Sequence, residues 1–516
     1  MSELPSSWLL SRVGDLFDTV GGGTPSTGVA EFWQGLVPWI SSADIDEAHN
    51  LSISRFISEE AVSSSATNLV PAGSVIVVTR VGLGKVAIND VPLCFSQDHQ
   101  ALLVDDRFFD RKYVLHYMST AVQTFKQIGR GTTISGVTKK QLLETNFVLP
   151  PLKEQTRIVA EIEKQFSRLD AATAALKRVQ TNLKRYRASV LKAACEGQLV
   201  PTEAELARKE GRDYEPADEL LERILRERRA RWEADTLAKM IASGKPPKDD
   251  RWKQKYKEPS APDTTGLPVL PEGWCWTRAE QICDFITKGT TPSAGRLFHG
   301  HGDIPFIKVY NLTKTGRLDF AINPTFVEFD THRSELARSR VFPGDVLMNI
   351  VGPPLGKVSV VPDDFAEWNI NQAIAVFRPI CGLLNSYFAA CLMSEYTIRW
   401  AQGRAKATAG QFNLTLEICR DLPVPLPPLQ EQRRIVGELE RLVGAINRLT
   451  LSGEVTDSRS SQLRNAILES AFSGKLVPQD PADEPASLLL ERMRADRGSA
   501  TAKARRRPRE KHTVTV

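Results

Sequence analysis

The stretch Leu-Pro-Pro-Leu-x-Glu-Gln-x-Arg-Ile-Val stands at residues 149–159 and again at 426–436, and from each copy one register runs without a gap to Gly-x-Leu-Val-Pro at Gly197 and Gly474. Earlier segments repeat in the same order. Leu4-Pro5-Ser6-Ser7-Trp8 returns as Leu270-Pro271-Glu272-Gly273-Trp274, and Gly23-Thr24-Pro25-Ser26 returns as Thr290-Thr291-Pro292-Ser293. Leu83-Gly84-Lys85-Val86 returns as Leu355-Gly356-Lys357-Val358. The same alignment sets Gln100 against Gln372 and brings Asn349 near Arg80. Self-similarity of this kind is the mark of duplication. A chain of 516 residues is also too long for one core, so the order is globule, helix, globule, helix.

The double prolines at 150–151 and 427–428 lack amide donors and fix the approach to a helix, so helices begin near Lys153 and Glu431. Ile162, Leu169, Leu176, Leu183 and Val190 fall seven apart, flanked by Phe166, Ala172, Val179 and Tyr186, a coiled-coil seam. Gly197 and Pro201 end it. About 45 residues at ~1.5 Å each give a rod of roughly 65 to 70 Å, which needs a partner, and the natural partner is the other rod, packed antiparallel. The second helix keeps Leu439, Ile446 and Ile467 in register but carries Gly453 and Ser460, so fraying or bending is expected at 451–461.

The globules alternate short β-rich runs (74–80, 95–104, 345–351) with Gly, Pro, Ser and Thr clusters, and hold two helical candidates, 111–126 and 385–400. The fold class is therefore α+β: two α/β-type domains in tandem, separated by two long antiparallel coiled-coil helices with pseudo-two-fold symmetry. The expected division is a first globule at 1–149, a first long helix at 150–201, and a charged helical appendage and linker at 202–265. A second globule at 266–426 and a second long helix at 427–478 follow, and 479–516 holds a short helix and a basic disordered tail. Pro216-Ala217-Asp218-Glu219-Leu220-Leu221-Glu222-Arg223 of the appendage returns as Pro485-Ala486-Ser487-Leu488-Leu489-Leu490-Glu491-Arg492 near the chain end, and the apolar positions Leu220, Leu221, Leu488 and Leu489 on these charged helices are expected to bury themselves against a partner subunit. Glu154, Arg157, Glu431 and Arg434 at the helix starts are read as capping and salt-bridge residues.

Charge and composition exclude little and bound much. With 67 basic and 62 acidic residues the net charge is +5, so any surface for a polyanion must be local. Seven scattered cysteines without a C-x-x-C pair argue against disulfides and structural zinc. His299 and His301 lack a third ligand at metal spacing, so no metal is expected. Gly352-Pro353-Pro354-Leu355-Gly356-Lys357 is one residue short of a phosphate-binding loop. Neither a glycine-rich methyl-donor loop nor an Asp/Asn-Pro-Pro-aromatic loop is present. With no basic flank and apolar core at Met1–Leu10, and no apolar run of about 18 to 20 residues, a cytoplasmic protein without membrane contact is expected.

On the Leu-Pro-x-x-Trp openings, the Thr-Pro-Ser loops, the two copies of Leu-Pro-Pro-Leu-x-Glu-Gln-x-Arg-Ile-Val and the Gly-x-Leu-Val-Pro ends, nearly the whole chain resembles the specificity subunit of type I restriction-modification enzymes. The resemblance implies a non-catalytic subunit with two target-recognition domains, each reading half of an asymmetric bipartite sequence in double-stranded DNA. It implies as partners two copies of a modification methyltransferase subunit and a restriction/translocase subunit. S-adenosylmethionine and ATP then belong to those partners, and this chain holds no cofactor. The alternative is a coiled-coil protein-interaction adaptor without DNA specificity.

Base edges are read by donors and acceptors, and affinity comes from neutralised phosphates. In the first globule the residues of that kind on loops are Thr24, Ser26, Arg80, Lys85, Gln97, Gln100, Arg130, Thr132, Thr133 and Lys139. Arg80 and Arg130 are the best placed for bidentate contacts. In the second globule they are Lys288, Thr290, Thr291, Ser293, Asn311, Lys357, Asn371, Gln372, Arg404, Lys406, Thr408 and Gln411. Asn349 near the Arg80 position suggests that the halves read different bases.

Overall fold

The computed structural model describes residues 4–128, 136–313, 315–352, 354–408 and 411–505, without the side chains of 124, 126–128, 406–408, 411, 451–458 and 498–505. Arg130, Thr132 and Thr133 lie outside the described residues, as do the side chains of Lys406, Thr408 and Gln411.

The chain forms two compact units, Met1–Ala175 with Val455–Val516, and Leu176–Glu454. The first is built from two separate stretches of chain, and the second is the continuous stretch between them. Each unit joins one globule to the beginning of its own long helix and to the end of the other long helix, because the helices Leu152–Cys195 and Leu429–Phe472 each run through both units. Within the first unit the helices are antiparallel: Thr173 meets Ser460 at 3.3 Å, and further along Arg464 pairs with Asp170 and lies 4.7 Å over the Phe166 ring.

The heptad positions Ile162 and Val190 are buried and Leu169, Leu176 and Leu183 half-buried, whereas Val179 and Tyr186 are exposed. The seam is thus narrower than the flanking apolar residues suggest. The second helix keeps its backbone helical through Gly453 and Ser460, contrary to the fraying expected there. Tertiary packing on either side outweighs the ~1 kcal/mol that a single glycine costs a helix.

Each globule is closed by its own ends, Leu9–Arg12 pairing antiparallel with Asn146–Leu149 and Cys275–Arg278 with Pro423–Leu426. Each carries one four-stranded antiparallel sheet. The order is Asp18–Gly21, His99–Leu103, Val75–Val78, Val86–Ile88 in the first, and Cys283–Lys288, Ile374–Pro379, Val346–Asn349, Val358–Val360 in the second. Each also has a mixed sheet, three-stranded in the first globule and five-stranded in the second, in which Val37–Ile40 runs parallel to Cys94–Phe95, and Ile304–Ile307 parallel to Trp368–Ile370. The central strand 75–78 is buried on both faces, with Val75 and Val77 in one core and Ile76 and Val78 in another. That explains its unbroken β-branched run.

The helix Arg111–Ile128 forms where the sequence places it. The second candidate splits into Asn385–Met393 and Glu395–Arg404, because Ser394 adopts extended backbone and its hydroxyl accepts from Thr397 N, an N-cap inside an apparently continuous pattern.

The repeated motifs converge on one junction in each unit. Trp8 Nε1 donates to Glu154 Oε2 at 2.9 Å, and Gln479 Nε2 to Glu154 Oε1 at 2.6 Å. Trp274 Nε1 donates to Glu431 Oε1 at 3.0 Å, and the Glu203 amide to Glu431 Oε2 at 2.8 Å. Gln155 and Gln432 each bond the carbonyl of the proline that opens their helix, at 3.0 Å. Arg157 pairs with Asp483 and Arg434 with Glu203, both at 2.6 Å. Gly474 at φ 74° and Gly197 at φ 69° close the helix ends against Pro5 and Pro271, where an added Cβ would lie 2.3 Å from each proline Cγ. The salt bridges expected at the helix starts are present, but they reach across the unit rather than along the helix.

The appendage is two helices, Glu203–Glu210 and Ala217–Ala242. Its apolar stripe corrects the expectation of a partner surface. Leu220 is fully buried in the second unit's own core with Leu221 packed against that core, and Leu489 is 2% exposed in the first unit's core. Leu488 alone of the four is open, at 47%. An amphipathic helix must bury its stripe, and here its own globule takes it. The linker is likewise pinned: Trp252, on the turn Asp250–Lys255, stacks 6.0 Å from Trp232 of the appendage helix.

Candidate nucleic-acid interface

In an antiparallel sheet, the ends of alternate strands meet on one edge. On the first sheet that edge gathers the chain leaving Gly21 and Val78 and the chain entering Val86 and His99. Four candidate loops are thereby brought together: 22–26, 79–85, 96–98 and, through Val137 N bonding Thr79 O at 2.6 Å, the segment leading to Lys139. The second sheet gathers 289–293, 350–357 and 371–373, with the hairpin Lys406–Thr408/Gln411–Asn413 attached by the Val351–Asn413 bridge.

One hydrogen bond is built twice on this edge. Thr24 Oγ1 donates to Gln97 Oε1, and Thr291 Oγ1 donates to Gln372 Oε1. Both pairs depend on a glycine pressed against the facing turn: a Cβ on Gly22 would lie 2.2 Å from Ser96 O, and one on Gly289 2.1 Å from Asn371 O. The Thr-Pro-Ser loop is so seated over the glutamine turn, with Thr24, Ser26, Gln97, Thr291 and Ser293 exposed. The hydrogen-bonding pattern corrects the alignment. Gly23 N bonds Phe95 O as Thr290 N bonds Ile370 O, so Gln97, not Gln100, is the counterpart of Gln372. Gln100 pairs with Gly21 inside the sheet.

Among the cations, Arg80 is 61% exposed, with Asp98 at 3.9 Å, and Lys139 and Lys288 are exposed. Lys85 and Lys357 are equivalent and half-buried, and both turn inward, their ammonium groups donating to Ser42 O at 3.1 Å and Val309 O at 3.4 Å. They anchor a loop to a neighbouring turn.

Asn349 and Asn311 leave the set of readers. Asn349 N bonds Lys357 O as Val78 N bonds Lys85 O, which places Asn349 opposite Val78 rather than Arg80. It is 1% exposed, accepting from Lys357 N at 2.8 Å and donating to Pro354 O at 2.9 Å. Asn311, also 1% exposed, donates to Asp319 O and Ile322 O. Buried amides with all these partners are structural. Asn371 sits half-buried at the base of the glutamine turn, its Oδ1 unpartnered. Arg404 lies 3.9 Å over the Trp400 ring.

Arg338 was not legible in the sequence. Exposed, it donates through Nε and Nη2 to Thr290 Oγ1 at 3.2 and 3.1 Å, beside the second Thr-Pro-Ser loop. Its counterpart in the first globule is the buried Thr67, counted from Val70 and Val341, which bridge to Leu93 and Trp368. Comparison of the repeats therefore gives no signal for it.

Among the described residues no group of three or more His, Cys, Asp or Glu could hold a metal ion, and no helix is long and apolar enough to cross a membrane.

A family model described as the type I restriction modification DNA specificity domain matches residues 5–184 and 271–456. The specificity subunit of the type I restriction enzyme EcoDI of Escherichia coli is 21% identical over 445 residues, covering 83% of this chain and 85% of that protein. The EcoKI specificity subunit of Escherichia coli (strain K12) is 20% identical over 523 residues, covering 97% and 98%. A chain solved under the words "Structural basis underlying complex assembly and conformational transition of the type I R-M system" shares the fold, with a TM-score of 0.62 at 19% identity, over 92% of this chain and 100% of that one.

Proposed function

The chain belongs to the type I restriction-modification DNA specificity family, and from that premise we propose that each globule reads one half of a bipartite target in duplex DNA through the loop edge of its four-stranded sheet. The observation that carries this reading is the edge built twice: a Thr-Pro-Ser loop locked by Thr24–Gln97 and by Thr291–Gln372, ringed by different cations, Arg80 and Lys139 in one globule and Lys288 and Arg338 in the other. A shared frame with unlike side chains suits two half-sites of unlike sequence.

The chain supplies specificity and no chemistry of its own. Adenine methylation from S-adenosylmethionine and ATP-driven translocation and cleavage are assigned to a modification subunit, bound in two copies, and to a restriction/translocase subunit. Rod length sets the gap between half-sites at about 1.5 Å per helical residue. Reconstitution with the modification subunit, followed by mapping of methylated adenines on random-sequence DNA, tests this. One interrupted motif is expected. Methylation without sequence preference, or no duplex binding at all, would instead support an adaptor role.

A further inference from the structure

In the ungapped register of the two long helices, Arg187 corresponds to Arg464, Asn447 to Asp170 and Val443 to Phe166. In the first unit Arg464 is ion-paired with Asp170 and lies 4.7 Å over the Phe166 ring, whose edge meets His116 at 5.8 Å. Charge and space are both satisfied there by the chain itself.

The second unit keeps the arginine and lacks the carboxylate and the ring that flank it in the first. Asn447 replaces the carboxylate, Val443 replaces the ring, and Ala390 stands where His116 does, counted from Tyr113 and Tyr387, whose hydroxyls each bond the strand before a long helix at 2.9 Å. What remains is a cavity of about 560 Å³ lined by Arg187, Ala390, Met393, Leu439, Val443 and Asn447, in the size range of small-molecule sites. Among the described residues the half-buried Arg187 donates to Asn447 Oδ1 at 3.3 Å and to Met393 Sδ at 3.7 Å. Among the described residues no carboxylate lies within 4.0 Å of it. Burial pulls its pKa down, with nothing opposing. A guanidinium taken out of water without a counter-ion is costly, and a single cavity that has lost both a ring and a carboxylate relative to its sibling is shaped for a ligand that returns both.

We propose that this cavity binds a small aromatic carboxylate, its ring on the apolar floor at Ala390, Leu439 and Val443 and its carboxylate on the guanidinium of Arg187. The charge-assisted pair and the cation over the ring reproduce what Asp170 and Phe166 supply in the first unit. Exposed Arg317 and Glu440 also line the cavity. Glu440 is the one acidic side chain lining it.

The test uses the full-length chain and 3-phenylpropionate, with 3-phenylpropionamide and acetate as controls lacking the charge or the ring, read by titration calorimetry. Saturable binding of one equivalent is expected, with each control at least about tenfold weaker. Asn447→Asp and Val443→Phe, which restore the first unit's groups, should each weaken binding about tenfold or more while the thermal midpoint holds or rises. Absence of binding to the unaltered chain overturns the proposal. So does affinity that both variants leave unchanged, and so does binding that emerges only in Glu440→Gln, since Glu440 would then be the counter-ion of Arg187. None of these outcomes depends on DNA recognition.

Discussion

Trp8 Nε1 donates a 2.9 Å hydrogen bond to Glu154 Oε2, joining the opening of a globule to the start of the helix that follows it. The other oxygen of the same carboxylate takes Gln479, beyond the end of the second long helix. A single buried side chain, 1% exposed, thus fixes a globule to two rods. Removing its partners should be costly: Trp8→Phe or Glu154→Ala is expected to lower stability by about 1 to 3 kcal/mol, since each leaves a buried polar group unpaired. Urea denaturation checks it, and a shift of only a few tenths would show that the junction is held by packing alone.

The same carboxylate and Glu431 carry a pH signature. Burial raises the pKa of each above the ordinary glutamate value, partly offset at Glu154 by Trp8 and Gln479 and at Glu431 by the Glu203 amide and Trp274. A raised acid binds its proton more tightly when folded, so its contribution is fully present below the unfolded pKa and is lost as pH rises through the folded value. Relative to Glu154→Gln/Glu431→Gln, the unaltered chain should therefore lose stability as pH climbs from about 4.5 toward neutrality. Parallel pH profiles for the two proteins would contradict this.

Leu220 and Leu488 should behave oppositely. Leu220→Ala removes a fully buried side chain and is expected to cost about 2 to 5 kcal/mol, whereas Leu488→Ala, at an exposed position, should stay within about 0.5 kcal/mol. Thermal melts of the chain alone decide. An unshifted melt for Leu220→Ala would return that leucine to the partner surface.

Arg338→Ala should relax recognition at one base position of one half-site, at about 1 to 3 kcal/mol of discrimination, with the other half untouched. Methylation mapping with the variant reads this directly. A uniform loss across all sequences would make Arg338 a phosphate contact.

Duplication was plain in the sequence because the repeated words are structural. Glu154, Gln155 and Arg157, with Pro5, Trp8 and Gly474, all meet at the junction, so each unit requires the same residues. The loop edge was legible in part: Thr24 and Thr291 carry the same motif, but the glutamines were paired three residues out of register, because only the bonds to Phe95 O and Ile370 O fix the turn. Polar residue type alone did not separate readers from anchors, as the inward Lys85 and Lys357 and the buried Asn311 show. Nor did amphipathicity reveal whose core Leu220 joins, since the stripe is the same whether its cover is intramolecular or a partner.

On the proposed function each globule reads its own half-site. Replacing residues 1–149 by the corresponding domain of another family member, reconstituting the modification complex and mapping methylated adenines tests it most directly. One half of the motif should change, while the other half and the gap between them stay as they were. A motif altered in both halves would contradict independent reading.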